Sequence, residues 1–164
     1  MSAEPGFFIC RHCGNLMIQK RIHANAKKKA EKDGVLITCC GQLMSRLVAN
    51  VEDTCEEQHI PKYTIKGGFA NNAVEVRIGR TDHVMTEEHH IEWVYMYTFQ
   101  GGQLKYLHAT QEPKVTFAMA DEDAFVYCDR PVCKMGRDHC MFQCKRDLIV
   151  YAYCNLHGLW KTRM

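Results

Sequence analysis

Alternating hydrophobic and polar positions predict β-strands over most of the chain after residue 60. Residues 74–78 read Val-Glu-Val-Arg-Ile, and this strict alternation is typical of a strand with one buried face. The other predicted strands are rich in β-branched and aromatic residues and are separated by turn residues; they cover residues 63–65, 91–99, 104–107, 115–119 and 148–153. Several short strands at this spacing predict an antiparallel sandwich or barrel.

Near the start of the chain, two short apolar runs each lead into a cysteine pair and a glycine. The first is Phe-Phe-Ile at 7–9 and the second is Val-Leu-Ile at 35–37, and we expect both to be strands. They bring four thiols, which are Cys10, Cys13, Cys39 and Cys40. Four thiolates can hold one tetrahedral ion, whereas adjacent cysteines rarely form a disulfide because its geometry is strained.

Length and composition favour one domain, or one domain with a small appendage, in a chain of 164 residues. No stretch approaches the roughly 18 apolar residues of a membrane helix. The first six residues have neither a basic nor an apolar segment typical of a secretion signal, so we expect a cytoplasmic protein without a membrane partner. In that reducing compartment, ten cysteines indicate metal sites more than disulfides.

Charge is unevenly distributed along the chain. Residues 1–50 carry eight Lys and Arg against three Asp and Glu, and residues 51–164 carry thirteen against sixteen. Most of the basic excess is the run Lys-Lys-Lys-Ala-Glu-Lys at 27–32, which has no interleaved aromatic residues. We interpret it as a solvated face and expect no nucleic-acid partner.

Histidines and one further cysteine form three candidate ligand stretches in the second part of the chain. They are Glu57-Gln58-His59, the segment from His83 to His89, and the turn from Cys154 to His157. Imidazole and thiolate are the ligands that iron, zinc and copper prefer. His89 and His90 adjoin a predicted strand in which successive side chains alternate, so we expect only one of them to face a metal.

A separate cysteine-rich segment interrupts the strand pattern at residues 128–147. It contains Cys128, Cys133, Cys140 and Cys144, together with a histidine, a proline and a glycine. This composition is typical of a small loop held by a metal. Its spacing leaves zinc, an iron–sulfur cluster and metal-free or disulfide-forming thiols as alternatives.

Residues 5–46 resemble desulforedoxin and the matching N-terminal domain of desulfoferrodoxins. The resemblance lies in the Cys-x2-Cys-Gly and Cys-Cys-Gly motifs described above. It implies one iron in a rubredoxin-like FeS4 centre held by the four cysteines at 10, 13, 39 and 40. A zinc knuckle is the alternative, because four thiolates also bind zinc well.

The second part of the chain looks like the catalytic domain of superoxide reductase. The resemblance rests on the order and spacing of the motifs around His59, His83 to His89, and Cys-Asn-Leu-His-Gly at 154–158. It implies the one-electron reduction of superoxide to hydrogen peroxide at a ferrous centre with an open sixth position. The implied ligands are four imidazoles and one axial thiolate, from His59, His83, His89, His157 and Cys154.

Two residues beside the first ligand are the implied catalytic residues. Glu57 resembles the carboxylate that can close the sixth position of ferric iron after turnover. Gln58 stands where the family usually has a lysine, whose charge would attract an anion. We also expect backbone N–H groups of the turn after Cys154 to donate to its sulfur and to moderate its electron donation.

Taken with the resemblance, the sequence predicts a mostly β protein of two domains. Residues 1–46 form a small rubredoxin-like or desulforedoxin-like metal domain. Residues 47–164 form an immunoglobulin-like antiparallel β-sandwich with the cysteine-rich insertion at 128–147. The resemblance also implies a rubredoxin-like electron donor and a homodimer. Two other functions compete: a non-catalytic iron electron-transfer or redox-sensing protein, and an interaction module stabilised by zinc.

Overall fold

A computed structural model describes residues 4–20, 36–52, 59–66, 73–79, 81–98, 100–121, 123 and 148–163. The chain divides into two compact units, Met1–Val48 and Ala49–Met164. The described residues contain twelve strands: β1 Gly6–Ile9, β2 Leu16–Gln19, β3 Thr38–Cys39, β4 Gln42–Leu43, β5 Ser45–Leu47, β6 Pro61–Lys66, β7 Ala73–Ile78, β8 Ile91–Tyr97, β9 Gly102–Tyr106, β10 Lys114–Ala118, β11 Ile149–Cys154 and β12 Gly158–Arg163. All the strand pairs are antiparallel.

The first unit consists of a three-stranded sheet and a two-strand ribbon. The sheet has the order β2-β1-β5, and the ribbon pairs β3 with β4. Its small core is formed by Phe8, Cys10 and Met44, against which Ile37 and Cys39 pack. Two of the four cysteines predicted as ligands, Cys10 and Cys39, therefore belong to an apolar cluster of this unit.

Two tight turns of the first unit, each beside a cysteine pair, have left-handed backbone. Gly14 has φ 74°, and its N–H donates to the Cys10 carbonyl at 2.9 Å. In the second turn Cys40 has φ 51° and Gly41 has φ 74°. Glycine adopts this region at little cost, whereas a residue with a Cβ does so rarely. The two glycines thus let the chain reverse directly at the cysteines.

The second unit is a sandwich of two antiparallel sheets. One sheet has the order β10-β7-β6 and the other has the order β12-β11-β8-β9. Alternate residues of both sheets meet in one core. The apolar residues of β7 alternate with polar ones because only one face of the strand is turned to this core. This core consists of Val74, Val76, Ile78, Ile91, Val94, Met96, Leu107, Phe117, Met119, Leu148, Val150, Ala152 and Cys154.

A β-bulge lies where β8 begins, opposite the end of β11. Tyr153 pairs with Trp93 but Cys154 pairs with Ile91, so Glu92 is an extra residue in β8. An extra residue reverses the alternation of side chains on the bulged strand. As a result Ile91 faces the core together with Cys154, instead of sharing the outer face with Trp93.

The mostly β sandwich that the sequence predicts is confirmed. The predicted strands after residue 60 correspond to β6 to β11. The prediction missed β2, β4, β5 and β12, and it was wrong at Leu36 and Ile37, which precede β3 without belonging to a strand. In the part of the chain that the structure describes, no helix is long and apolar enough to cross a membrane.

Candidate metal centres

The structure brings the four predicted cysteines of the first unit together. Cys10 follows β1 and Cys13 lies in the next turn, while Cys39 ends β3 and Cys40 begins the turn after it. Their sulfur atoms all lie within 4.8 Å of one another. All four are free thiols, so the vicinal pair forms no disulfide.

The distances between these sulfurs fit a tetrahedral metal. Cys13 Sγ lies 3.6 Å from Cys39 Sγ, and Cys39 Sγ lies 3.9 Å from Cys40 Sγ. With metal–sulfur bonds of about 2.3 Å, the sulfurs of a tetrahedral site lie about 3.8 Å apart. Iron and zinc both suit such a set of four thiolates, so the sulfur geometry alone does not choose between them.

Hydrogen bonds make the four thiols unequal. The backbone N–H groups of Cys13 and then His12 lower the pKa of the Cys10 thiol to about 6. In contrast, the neighbouring thiols of Cys13 and Cys39 raise the pKa of Cys40 to about 12. Metals bind the thiolate form, so Cys10 is prepared for a metal and Cys40 is ionised by metal binding itself.

A second group of donors lies at one end of the sandwich in the second unit. It contains His59, His83, His89 and Cys154, whose ligand atoms all lie within 4.8 Å of one another. The chain order explains this convergence, because antiparallel pairing sets the start of β6 beside the end of β7 and the start of β8 beside the end of β11. His59 and Cys154 are 0% exposed and His83 is 5% exposed.

His157 completes a ring of four imidazoles in this unit. Ring centroids of neighbours in the order His59, His83, His89, His157 are separated by 4.8, 4.7, 4.9 and 4.7 Å. The diagonal from His59 to His89 is 6.4 Å, close to what a square of that side requires. Neighbouring rings are inclined by 66° to 78°, so each ring meets the next edge to face around a common centre.

The distances between the donor atoms fit one ion held by the imidazoles and the sulfur. His59 Nε2 lies 3.0 Å from His157 Nδ1, and Cys154 Sγ lies 3.6 Å from the same nitrogen. With metal–nitrogen bonds of about 2.1 Å, two nitrogens at right angles lie about 3.0 Å apart. The four-imidazole, one-thiolate set is thus compatible with a transition metal that has one coordination position left for another ligand.

The tautomer of His83 also fits a metal ligand. Its Nδ1 lies 2.6 Å from the Val84 carbonyl oxygen, which can only accept a hydrogen bond. Nδ1 therefore carries the proton in the neutral ring, and the lone pair is on Nε2. A backbone carbonyl commonly fixes the tautomer of a metal-binding histidine in this way.

Trp160 is a contributor that the sequence did not reveal. Its ring stacks on the His59 imidazole with centroids 4.7 Å apart and planes inclined by 14°. Trp160 is 6% exposed and pairs with Ala152 of β11, so it reaches the site from the core face of the sheet. Because β12 was not predicted, no signal in the sequence indicated that the Trp160 side chain lies beside His59.

The turn after Cys154 differs in one respect from the expectation. The Asn155 backbone N–H donates to the His90 carbonyl at 3.2 Å, so for this residue the predicted donation to the cysteine sulfur is wrong. The side chain of His90 lies away from the donor group, with its Nδ1 3.0 Å from the Thr86 carbonyl oxygen. Gly158, at φ 80°, closes the turn opposite Cys154.

Several predicted residues fall on parts of the chain that the structure does not describe. The predicted catalytic residues Glu57 and Gln58 lie outside the described residues, and so do Cys128, Cys133, Cys140 and Cys144. Among the histidines that are described, His12, His90 and His108 belong to neither donor group.

Comparisons with known proteins agree on one family. The family model Desulfoferrodoxin matches residues 51–163. A desulfoferrodoxin of Clostridium acetobutylicum is 30% identical over 79% of this chain and 81% of its own length. A superoxide reductase of Pyrococcus abyssi is 32% identical over 66% of this chain and 86% of its own.

A solved structure extends the similarity to both units. The crystal structure of the superoxide reductase from Treponema pallidum matches with a TM-score of 0.64 and 26% identity. The match covers 99% of this chain and 99% of that protein. It therefore includes the cysteine unit as well as the sandwich.

Proposed function

Because the chain belongs to the desulfoferrodoxin family, we propose that it is a superoxide reductase. In this reaction one superoxide takes up one electron and two protons and becomes hydrogen peroxide. The proposed metal is iron, and its proposed ligands are His59, His83, His89, Cys154 and His157. The competing functions are a non-catalytic electron-transfer or redox-sensing protein and a zinc-stabilised interaction module. In each of them this centre would not catalyse the reduction of superoxide.

The convergence of five donors at the end of the sandwich is the observation that carries this proposal. Four imidazoles stand in a near square, and the Cys154 sulfur lies 3.6 Å from a nitrogen of one of them. A six-coordinate ion held by these five donors would have one position left for a small anion. When bound, ferrous iron supplies the electron, and an anionic sulfur ligand favours its release. A zinc ion has no such redox chemistry, which is why the identity of the metal decides the function.

The protein's own residues prepare the site for this chemistry. Cys154 is fully buried beside Ile91 in the core, so its sulfur meets apolar atoms instead of water on the strand side. His83 is held in the tautomer with its lone pair on Nε2, and Trp160 supports the plane of His59. Such outer contacts orient ligands before a metal arrives.

We assign to Glu57 and Gln58 the roles that their positions before His59 suggest. Glu57 is the proposed carboxylate that closes the sixth position after turnover. Gln58 replaces the usual lysine, so its amide offers the incoming superoxide a dipole and no net charge. The proposal for these two residues rests on the sequence resemblance.

For the first unit we propose a second iron held by Cys10, Cys13, Cys39 and Cys40, with zinc as the alternative. Residues 1–46 and 47–164 are then the metal domain and the catalytic domain. A rubredoxin-like protein is the proposed electron donor, and the proposed setting is a cytoplasmic homodimer. The cysteines of 128–147 are proposed to hold a third metal, either zinc or an iron–sulfur cluster.

Metal analysis combined with a rate measurement tests the main proposal. Protein purified without oxygen should contain iron at the His and Cys donor group and should absorb visible light after oxidation, as thiolate-bound ferric iron does. The pre-reduced protein should react with superoxide generated by pulse radiolysis and yield one hydrogen peroxide per electron. A colourless protein filled with zinc, or an iron protein that does not react, would contradict the proposal.

A further inference from the structure

Asn155 forms three hydrogen bonds to the segment that contains His89, and its Oδ1 also accepts a long contact from the Cys154 Sγ at 3.9 Å. Its Nδ2 donates to the Glu88 carbonyl at 2.8 Å, and its Oδ1 accepts from the His90 N–H at 3.0 Å. Its own backbone N–H donates to the His90 carbonyl at 3.2 Å. These distances are normal for N–H···O bonds, and they connect residues 65 and 67 positions apart in sequence.

The positions of these bonds are informative because they bracket one donor residue from both sides. Glu88 precedes His89 and His90 follows it, so a single amide holds the peptide groups on either side of that histidine. An amide suits this task because it offers a donor and an acceptor at once. A serine is too short to reach both, and an aspartate has no donor.

Asn155 itself lies in the turn that carries two more of the donor residues. Asn155 lies between Cys154 and His157, which are two further members of the donor group. The His89 loop is itself stiffened by Thr86, whose N–H donates to the His89 carbonyl at 2.8 Å and whose Oγ1 accepts from the His89 N–H at 3.1 Å. Movement of the loop therefore has to break bonds to Asn155.

We propose that Asn155 is a positioning residue that sets His89 against Cys154 and His157 before a metal binds. The inference rests on the proposed metal centre, and it adds a residue that contacts neither the metal nor superoxide. Three of the five donors are held in register through this one side chain. Its loss should allow the His89 loop to separate from the Cys154 turn and should weaken metal binding.

The test compares Asn155→Ala with wild type by two measurements on the full chain. The first is the affinity for Fe²⁺ without oxygen, determined by chelator competition and read from the absorption of thiolate-bound ferric iron after oxidation. Loss of an outer contact to a metal ligand typically lowers affinity about 10–100-fold. We expect a loss in this range for the His and Cys centre, with iron at the Cys10 group unchanged.

The second measurement separates positioning from a general contribution to stability. Metal binding raises the melting temperature according to affinity, so the difference between loaded and metal-free protein reports on the site. A positioning role predicts a smaller difference in Asn155→Ala. A purely structural role would lower both melting temperatures equally and would overturn the proposal, as would wild-type affinity for Fe²⁺.

Two variants keep the test decisive. Asn155→Ser keeps a polar residue that is common in turns, but the shorter serine side chain cannot bond to both Glu88 and His90. This variant replaces Asn155→Ala if Asn155→Ala does not fold. Asn50→Ala is the control, because Asn50 joins β12 through its backbone atoms and should keep wild-type affinity. If wild type itself binds no iron at this centre, the proposed function fails; if wild type binds and Asn155→Ser binds equally well, only the positioning role fails.

Discussion

The two donor groups of this protein are built in opposite ways. The sulfur group of the first unit comes from two tight glycine turns, and two of its cysteines, Cys13 and Cys40, are exposed. The His and Cys group of the second unit has three buried members, His59, His83 and Cys154. It joins residues as far as 98 positions apart, such as His59 and the exposed His157. One group is a product of local turns, and the other is a product of the packed sandwich.

This difference indicates how each centre is kept in shape. Left-handed turns fix the four thiols with few residues, so the metal itself supplies much of the remaining order. The group of four histidines is instead held by strand pairing, by the stacking of Trp160 on His59 and by the hydrogen bonds of Asn155. We therefore expect damage to one centre to leave the other intact, and the following substitutions examine that independence.

The largest effect is expected from Cys154→Ser. Four imidazoles remain to hold the metal, but a serine hydroxyl does not supply the anionic sulfur that favours electron release. The second-order rate with superoxide should fall by more than about 100-fold, which is the upper end for changes outside the ligand shell. Pulse radiolysis measures the rate, and the metal content of the Cys10 group should match wild type. Near-normal turnover would contradict the ligand role of Cys154.

The reciprocal substitution is Cys13→Ser in the first unit. It removes one of four thiolates from an exposed site, so we expect the metal of that group to be lost or greatly weakened. Superoxide reduction by chemically pre-reduced protein should remain at the wild-type rate, because the donors of the second unit are untouched. Metal analysis and single-turnover kinetics measure both results. Loss of single-turnover activity with the second iron still bound would show that the centres depend on each other.

The sandwich and both donor groups could be predicted because their signals are strong. Alternation over β7 identifies a half-buried strand directly, and Cys-x2-Cys with a vicinal pair identifies four thiols that can converge. The histidines were assigned through the resemblance, and the structure brings them into one group with Cys154. The cysteine motifs were thus sufficient for the first group, whereas the second group needed the family resemblance.

What could not be predicted depends on tertiary contacts without a local signal. The bulge at Glu92 changes which face Ile91 occupies, and the stack of Trp160 on His59 joins β12 to the residues just before β6. The N–H of Asn155 was expected to face sulfur, but it finds the His90 carbonyl of a loop 65 residues earlier in the chain. Spacing in the sequence contains no information on that loop's position.

A smaller effect, in the opposite direction, is expected from Gln58→Lys. An ammonium beside the centre would attract superoxide, and electrostatic steering changes association rates by roughly tenfold or more. The rate should rise and the gain should shrink with salt, because screening acts over about 10 Å at 0.1 M. Gln103→Lys on β9 adds the same charge to a strand position that pairs with Met96, and it serves as the control. An equal response of both variants would refute a specific role for position 58.

The smallest effect concerns the scaffold of the second unit, away from both donor groups. Glu75 of β7 lies 2.5 Å from Lys66 Nζ and 2.9 Å from Lys114 Nζ, and its side chain is only 19% exposed. The hydrogen bonds from Lys66 and then Lys114 lower the pKa of its carboxyl group below the ordinary value of 4.5.

A lowered pKa means that the folded protein binds the Glu75 proton less readily than the unfolded chain does, so the carboxylate stabilises the fold above its unfolded pKa. This contribution is lost as the pH falls through the lowered pKa of the folded state. We expect Glu75→Gln to melt at a lower temperature than wild type at neutral pH, and the difference to vanish in acid. Any metal released in acid would be released by both proteins alike, so the difference between their melting temperatures isolates Glu75. Glu112→Gln, which removes a 74% exposed partner 4.0 Å from Arg77, should change little at any pH. A pH-independent difference for Glu75→Gln would mean that packing of the side chain, and not its charge, stabilises the sheet.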